Sequence, residues 1–317
     1  DLPTMKDIFF AGDPFTVAGD AHLVGTWHIF DGGRELTGTL QSDNWALNDL
    51  EFPQMTSSLV WTDERFDVFD YASAFYDGTL DLTYSMAPLG AETPGYGTLD
   101  TRVEDADVAA LLDALELAGI RPEGRASWHN MIRWPLGGFD DHIGEGRLTV
   151  APPDGRTLMT RGGRRTDDRG GYASIPFDPD GEPWHVPIGG ELVYTVSPEW
   201  LEIAPGRIAT PASVIDFHGR TAFGDQSRIP FEVFSADWQE SSRLMSAVLT
   251  AFNKPTSEVA VAGRGVINGV MLGVFTAPRI EAQFEGEGIS AWNVDWGSGV
   301  GGLTVENAYL DVVDGTF

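Results

Sequence analysis

The chain has 317 residues, 42% of them hydrophobic and 21% charged, which supplies a core and excludes a disordered protein. Its net charge of −28 argues against nucleic acid and anionic membrane surfaces as partners, because both are themselves anionic. Cysteine is absent, so thiolate zinc sites and thiol chemistry are excluded, and no apolar run is long enough to span a bilayer as a helix.

The first predicted segment, residues 1–102, is a series of short strands separated by turns. Gly32-Gly33 and Asp77-Gly78 are typical of hairpin turns that need a positive φ. Strands that follow one another at short intervals favour an antiparallel meander. We therefore expect a mainly β fold from the start of the chain.

A helix is predicted over residues 105–118, as an insertion at 103–120. Its apolar residues follow the i, i+3, i+4, i+7 spacing of an amphipathic helix: Val108, Leu111, Leu112 and Leu115. Asp105 or Asp107 is expected to cap its first turn, and Gly119 its end.

Residues 121–234 are predicted to return to strands, with Pro-rich, Gly-rich and Arg-rich loops at 151–190. Gly189-Gly190 is predicted to form a further turn. Four arginines of the loops form a candidate partner site: Arg161, Arg164, Arg165 and Arg169. Two interpretations stay open, a solvated loop that balances the acidic surface and a docking loop for an acidic partner or a lipid headgroup.

A second helix is predicted from about residue 237 to 252, within an insertion at 235–253. Asp237 and Glu240 have the spacing of a capping box. The apolar stripe is supplied by Leu244, Met245, Val248 and Phe252. Both helices are amphipathic, so each is expected to lie on the sheet or at its rim.

The last segment, 254–317, shows the strongest strand pattern. Residues 279–285 and 292–296 alternate polar and apolar side chains, which indicates one buried and one wet face, and Gly301-Gly302 is predicted to form a turn. Ten residues are predicted to face inward and to line an apolar groove: Ile280, Ala282, Phe284, Trp292, Val294, Trp296, Leu303, Val305, Leu310 and Val312. Ordinary core packing would give the same pattern.

The end of the chain repeats its beginning. Residues 17–19 (Val-Ala-Gly) return at 261–263, and Gly25 returns as Gly269, at one offset of 244 residues. Two further matches keep this offset, 59–61 with 303–305 and 66–70 with 310–314. Internal repetition predicts an array of stacked units. We expect one continuous array, cut from a longer chain at both ends, in which the copies are equivalent strand registers without separate cores.

The candidate residues for catalysis or metal binding lack the spacing that such sites need. The candidate ligands His129, His142 and His185, with nearby aspartates, lack metal-ligand spacing, so no metal, cofactor or catalytic residue is predicted and the chain is not expected to be an enzyme. Abundant carboxylates and ten tryptophans leave a secreted carbohydrate-binding or carbohydrate-active β protein as an alternative.

Several segments resemble TamB/AsmA-like proteins of bacterial envelopes. They are 263–275 with 278–281, 307–312, the Ala-Phe-Tyr-Asp-Gly-Thr-Leu stretch at 74–80, and the helix at 107–112 followed by Gly119 and 124–127. The resemblance covers most of the chain except residues 151–190. The strong acidity and the arginine-rich insert depart from the family pattern.

The resemblance implies an elongated antiparallel sheet that curls lengthwise into a U-shaped β-taco with an apolar groove. It also implies a periplasmic bridge that carries phospholipid between the inner and outer membranes or assists outer-membrane protein assembly. The full-length protein would be anchored in the inner membrane and would meet an outer-membrane barrel protein through regions outside this chain. The expected ligand is a phospholipid or another acyl-chain molecule. A structural or interaction repeat module remains the other alternative.

Overall fold

The computed structural model describes residues 1–9, 16–48, 50–90, 94–114, 121–160, 185–222, 226–251, 260–274, 277–306 and 309–317. These residues form three α-helices: α1 (Leu2–Phe9), α2 (Val108–Ala114) and α3 (Trp238–Ala251). The two predicted helices correspond to α2 and α3, but the predicted start of the first is wrong, because residues 105–107 end the strand Tyr96–Asp107. The sequence analysis missed α1, although Asp1 accepts a hydrogen bond from the Thr4 amide at 2.8 Å and so caps it.

Nineteen strands are described. The first seven are β1 (Val17–Gly19), β2 (His22–Phe30), β3 (Gly33–Leu47), β4 (Leu50–Thr62), β5 (Phe66–Phe75), β6 (Gly78–Ala87) and β7 (Tyr96–Asp107). The next eight are β8 (Arg121–Glu123), β9 (Arg125–Pro135), β10 (Ile143–Ala151), β11 (His185–Pro187), β12 (Gly189–Val196), β13 (Trp200–Ala209), β14 (Ser213–Ala222) and β15 (Ser227–Ser235). The last four are β16 (Val261–Val274), β17 (Ala277–Ala291), β18 (Val294–Glu306) and β19 (Tyr309–Thr316).

Seventeen of these strands belong to one large antiparallel sheet, and β8 and β11 form a separate parallel pair. The predicted mainly β, antiparallel fold with short helices is thereby confirmed. Two predicted turns are wrong: Gly189-Gly190 lies in β12 and Gly301-Gly302 lies in β18. Gly190 serves close approach between strands, since a Cβ there would stand 2.3 Å from the Arg207 carbonyl oxygen.

The chain divides into two compact units. The continuous array expected from the sequence stays a prediction. The first unit comprises Asp1–Leu115, Ala126–Leu148 and Val196–Pro198, and the second comprises Glu116–Arg125, Thr149–Thr195 and Glu199–Phe317. In the first, β2 to β7 are neighbours in chain order and β1 pairs with the far end of β3. In the second, β12 to β19 are neighbours in chain order.

Each unit has its own buried clusters. In the first unit seven residues form one cluster: Phe52, Met55, Tyr71, Phe75, Leu80, Val103 and Ala106. Leu111 of α2 packs against it. In the second unit Trp238 of α3 joins Phe284 and Ile289 of β17, and Met159 joins Ala209 and Val214 in a separate cluster.

The sequence repeat is a repeat of structure. Strands β3 and β17 occupy equivalent positions 244 residues apart, and so do β4 and β18. Strand β16 covers the positions equivalent to β1 and β2 together. The registers also agree, because Leu36 pairs with Trp61 in the first copy as Ile280 pairs with Val305 in the second. One copy lies in each unit.

Candidate apolar ligand-binding face

Most of the predicted groove residues share one face of the sheet in the second unit. Directly opposed residues of antiparallel strands point to the same side. Across β17, β18 and β19 the opposed sets are Ile280–Val305–Leu310 and Ala282–Leu303–Val312. Phe284 follows Ala282 by two residues and therefore points to that side too. Seven of the ten predicted residues are thus together.

The other three residues lie elsewhere. Trp292 and Asn293 have φ of 54° and 61° and form the two-residue turn between β17 and β18. The strand predicted through Trp292 is therefore wrong at this residue, whose side chain is 63% exposed. Val294 and Trp296 lie in β18 but are also exposed, and the Trp296 indole N–H donates to the Ala291 carbonyl at 3.4 Å.

One end of the face is closed by helix α3. The rings of Trp238 and Phe284 meet edge to face with their centroids 6.0 Å apart, and both residues are buried. The indole lies on Gly286, where an added Cβ would stand 2.2 Å from its nearest ring carbon. At this end the predicted groove is ordinary core packing.

A buried polar network fixes α3 in place. Asp237 Oδ1 accepts the Gln239 amide at 3.0 Å and caps the helix as predicted. The Glu240 carboxylate forms hydrogen bonds outside the predicted capping box. Its Oε1 accepts a short hydrogen bond from the Thr210 hydroxyl and one from the Ala212 amide at 3.3 Å. This carboxylate is buried, so these bonds tie the helix to the β13–β14 connection.

Along the described residues, the other end of the face is open. We call Met271, Ile280, Val305 and Leu310 the aliphatic row; Met271 is opposed to Ile280, so the four side chains cross β16 to β19 on one side. The exposed fraction of the side chains rises along β17 away from Phe284 and across the sheet towards β19. Phe284 is 7% exposed, the middle of the row is half-buried, and Leu310 and Val312 are 39% and 43% exposed.

The first unit carries aromatic residues at three of the equivalent positions. Trp27, Trp61 and Phe66 stand where the aliphatic row has Met271, Val305 and Leu310. Together with three rings further across the sheet they form a set that we call the aromatic row: Trp27, Trp61, Phe66, Tyr84, Trp134 and Phe139. The sequence analysis missed this row, although the offset of 244 residues aligns it with predicted groove residues.

A cavity of about 780 Å³ also lies in the second unit. Val266, Glu285 and Val300 are directly opposed and line it. Because Glu285 alternates with Phe284 along β17, these three side chains point to the opposite face of the sheet. Arg264 and Glu287 also line it and form an exposed ion pair at 2.8 Å.

The histidines are held by separate partners. His129 Nε2 lies 2.8 Å from Asp100, His185 Nδ1 lies 3.4 Å from Glu123, and His142 Nδ1 lies 3.0 Å from the Phe139 carbonyl. In the described ranges, no group of three or more His, Asp or Glu side chains is placed to hold a metal ion. The four arginines of the candidate partner site, Arg161, Arg164, Arg165 and Arg169, fall outside the described residues.

Comparison with known proteins identifies no relative of this chain. No family model matches the chain, and no curated protein or solved structure matches it either. The resemblance to TamB/AsmA-like proteins therefore stays a prediction. None of the described helices combines the length and apolar character needed to cross a bilayer.

Proposed function

We propose that the second unit binds the acyl chain of a lipid on the face that carries the aliphatic row. The observation behind this proposal is the gradient of exposure from buried Phe284 to Leu310 and Val312, which leaves apolar side chains half-covered on one side of the sheet. Covering them with a hydrocarbon chain removes apolar area from water, at about 25 cal/mol per Å².

The chemistry of the row favours a saturated chain over a polar ligand. Its members are aliphatic, so they offer dispersion contacts without directional bonds and allow a chain to shift along the face. A headgroup would stay beyond the open end, near Leu310. Binding of this kind uses no catalytic residue, and the function we propose is lipid binding without chemistry.

The wider proposal is that this binding serves phospholipid transport or outer-membrane protein assembly in a bacterial envelope. Its support is the apolar face together with the resemblance to TamB/AsmA-like proteins. Periplasmic location and an outer-membrane protein partner belong to the same proposal. The strong acidity of the chain is compatible with this proposal, because an uncharged acyl chain has no Coulomb interaction with the protein's charge.

The test is displacement of a fluorescent fatty-acid analogue, combined with mass spectrometry of lipids that copurify with the chain. Leu310→Ser and Val312→Ser remove half-exposed apolar groups, and each is expected to weaken binding roughly fivefold. Val300→Ser is the matched control, since Val300 is 49% exposed on the opposite face. Equal weakening by the control would move the site to the opposite cavity, and absence of binding by the unaltered protein would reject the proposal.

A further inference from the structure

We propose that the aromatic row of the first unit is a second binding site, specific for a small molecule that carries a quaternary ammonium group. This inference is independent of the acyl-chain site, because it concerns other residues in the other unit. It depends on three observations: the spacing of the rings, the charge at the same ends of the strands, and the contrast between the two copies.

The six rings form a continuous series. Successive centroids are 6.0 Å apart for Trp27 and Trp61, 6.4 Å for Trp61 and Phe66, and 6.1 Å for Phe66 and Tyr84. The series continues through Trp134 at 6.0 Å and Phe139 at 5.1 Å. Most neighbours meet edge to face, and the terminal rings Trp27 and Phe139 are 44% and 43% exposed. A cation within about 6 Å of such ring faces is attracted by their quadrupoles.

The backbone makes room for these rings. Trp134 lies against Gly97, where a Cβ would stand 2.4 Å from the indole. Leu36, which is opposed to both Trp27 and Trp61, is a smaller side chain between the two indoles. The rings are therefore held by close backbone and side-chain contacts rather than by the buried cluster around Phe52 and Phe75.

Carboxylates surround the ends of the strands that carry the row. Arg34 pairs with Asp63 at 2.7 Å, and Arg65 pairs with Asp67, so both arginines at these turns are neutralised. Further exposed carboxylates stand at the same turns or in the helical turn after β9: Asp31, Glu64, Asp140 and Asp141. Arg133 stands at this end on the opposite face of the sheet, so within a chain of net charge −28 the exposed carboxylates still outnumber the cations near the row, which favours a cationic ligand.

The second copy shows that the fold does not require aromatic residues here. The same registers accept Met271, Val305 and Leu310 in place of Trp27, Trp61 and Phe66. Aromatic rings and aliphatic side chains bury comparable apolar surface, but only the rings attract a cation. Because only the terminal rings are well exposed, the row suits a small soluble cation rather than a membrane surface.

The test uses tetramethylammonium and choline as probes, followed by indole N–H shifts in NMR spectra and by tryptophan fluorescence. Trp61→Val and Phe66→Leu install the residues of the second copy, and each is expected to weaken binding roughly fivefold to tenfold. Tyr96→Leu is the control, since Tyr96 is exposed on the opposite face of β7 beneath Arg133 and should leave binding unchanged.

The neutral isostere 3,3-dimethylbutan-1-ol separates cation attraction from apolar burial and is expected to bind at least roughly fivefold more weakly than choline. Equal binding of the isostere would overturn the proposal. So would binding of glucose oligomers or of phosphatidylcholine vesicles without binding of free choline. Phe66→Leu should keep the thermal transition and the fatty-acid binding of the unaltered protein, which guards against misfolding as the cause.

Discussion

Asp70 and Asp314 occupy equivalent positions in the two copies, and both have a left-handed backbone, with φ of 51° and 53°. The first lies within the register shift between β4 and β5, and the second lies within the equivalent shift between β18 and β19. Gly19 and Gly263 agree in the same way, with φ of 104° and 137°. Irregularities that recur at one offset are strong signs of a duplicated unit.

This equivalence predicts that substitutions at the two aspartates have matching effects. A β-branched residue is disfavoured in the left-handed region, so Asp70→Val and Asp314→Val should each lower the free energy of unfolding by about 1–2 kcal/mol. Glycine tolerates this φ, and Asp70→Gly should therefore be close to neutral. Denaturant unfolding measures both. The controls Asp81→Val and Asp311→Val lie in regular strand and should cost little; equal losses there would contradict the prediction.

From the contact of Trp238 with Gly286 we predict that one methyl group added at Gly286 lowers the stability of the fold. Gly286→Ala places a Cβ 2.2 Å from the indole, so the free energy of unfolding should fall by about 1–3 kcal/mol. Gly302→Ala is the matched control, because its nearest neighbour is a carbonyl oxygen at 3.3 Å. Adding Trp238→Phe to Gly286→Ala should cost less than the sum of the two changes. Additive losses would show that the clash is relieved elsewhere.

From the burial of Tyr71 we predict that the protein loses stability at alkaline pH. Burial raises the pKa of Tyr71 above its ordinary value of 10.0, while its hydroxyl accepts the Trp45 indole N–H at 3.1 Å. Above pH 10.0 the unfolded chain ionises first, so this contribution is complete below that pH and is lost as the pH rises towards the folded pKa.

Urea midpoints measured from pH 8 to about pH 11 should therefore fall less steeply for Tyr71→Phe than for the unaltered protein. The substitution also removes an acceptor from Trp45, which lowers stability at neutral pH by about 1 kcal/mol. Burial raises the pKa of Tyr194 as well, so Tyr194→Phe should remove a separate share of the slope. An unchanged slope in both variants would contradict the assignment.

Period-2 alternation was sufficient to predict the antiparallel sheet. It also grouped Ile280, Ala282 and Phe284 on one side of a strand, as the regular pairing of β17 over that stretch does. It failed at Trp292, since a two-residue turn with positive φ continues the apolar alternation without being a strand. Residue type gave no warning, because tryptophan is unusual in such a turn.

Whether an apolar face is covered depends on contacts far apart in sequence. Trp238 reaches Gly286 across 48 positions, so the sequence pattern of β17 alone could not reveal that α3 closes one end. The aromatic row was missed for a related reason. Trp27 and Trp61 are separated by a strand, and only the pairing of both with Leu36 brings their rings together.

The position of Trp238 would give the proposed lipid-binding face a direction. On this proposal a hydrocarbon chain enters past Leu310 and stops where the rings of Trp238 and Phe284 meet. A ligand would therefore enter and leave such a face at the same end. Passage from end to end would require α3 to lift, which first breaks the bonds of Glu240 to Thr210 and Ala212. A protein that moves lipid past this unit would therefore need α3 to move.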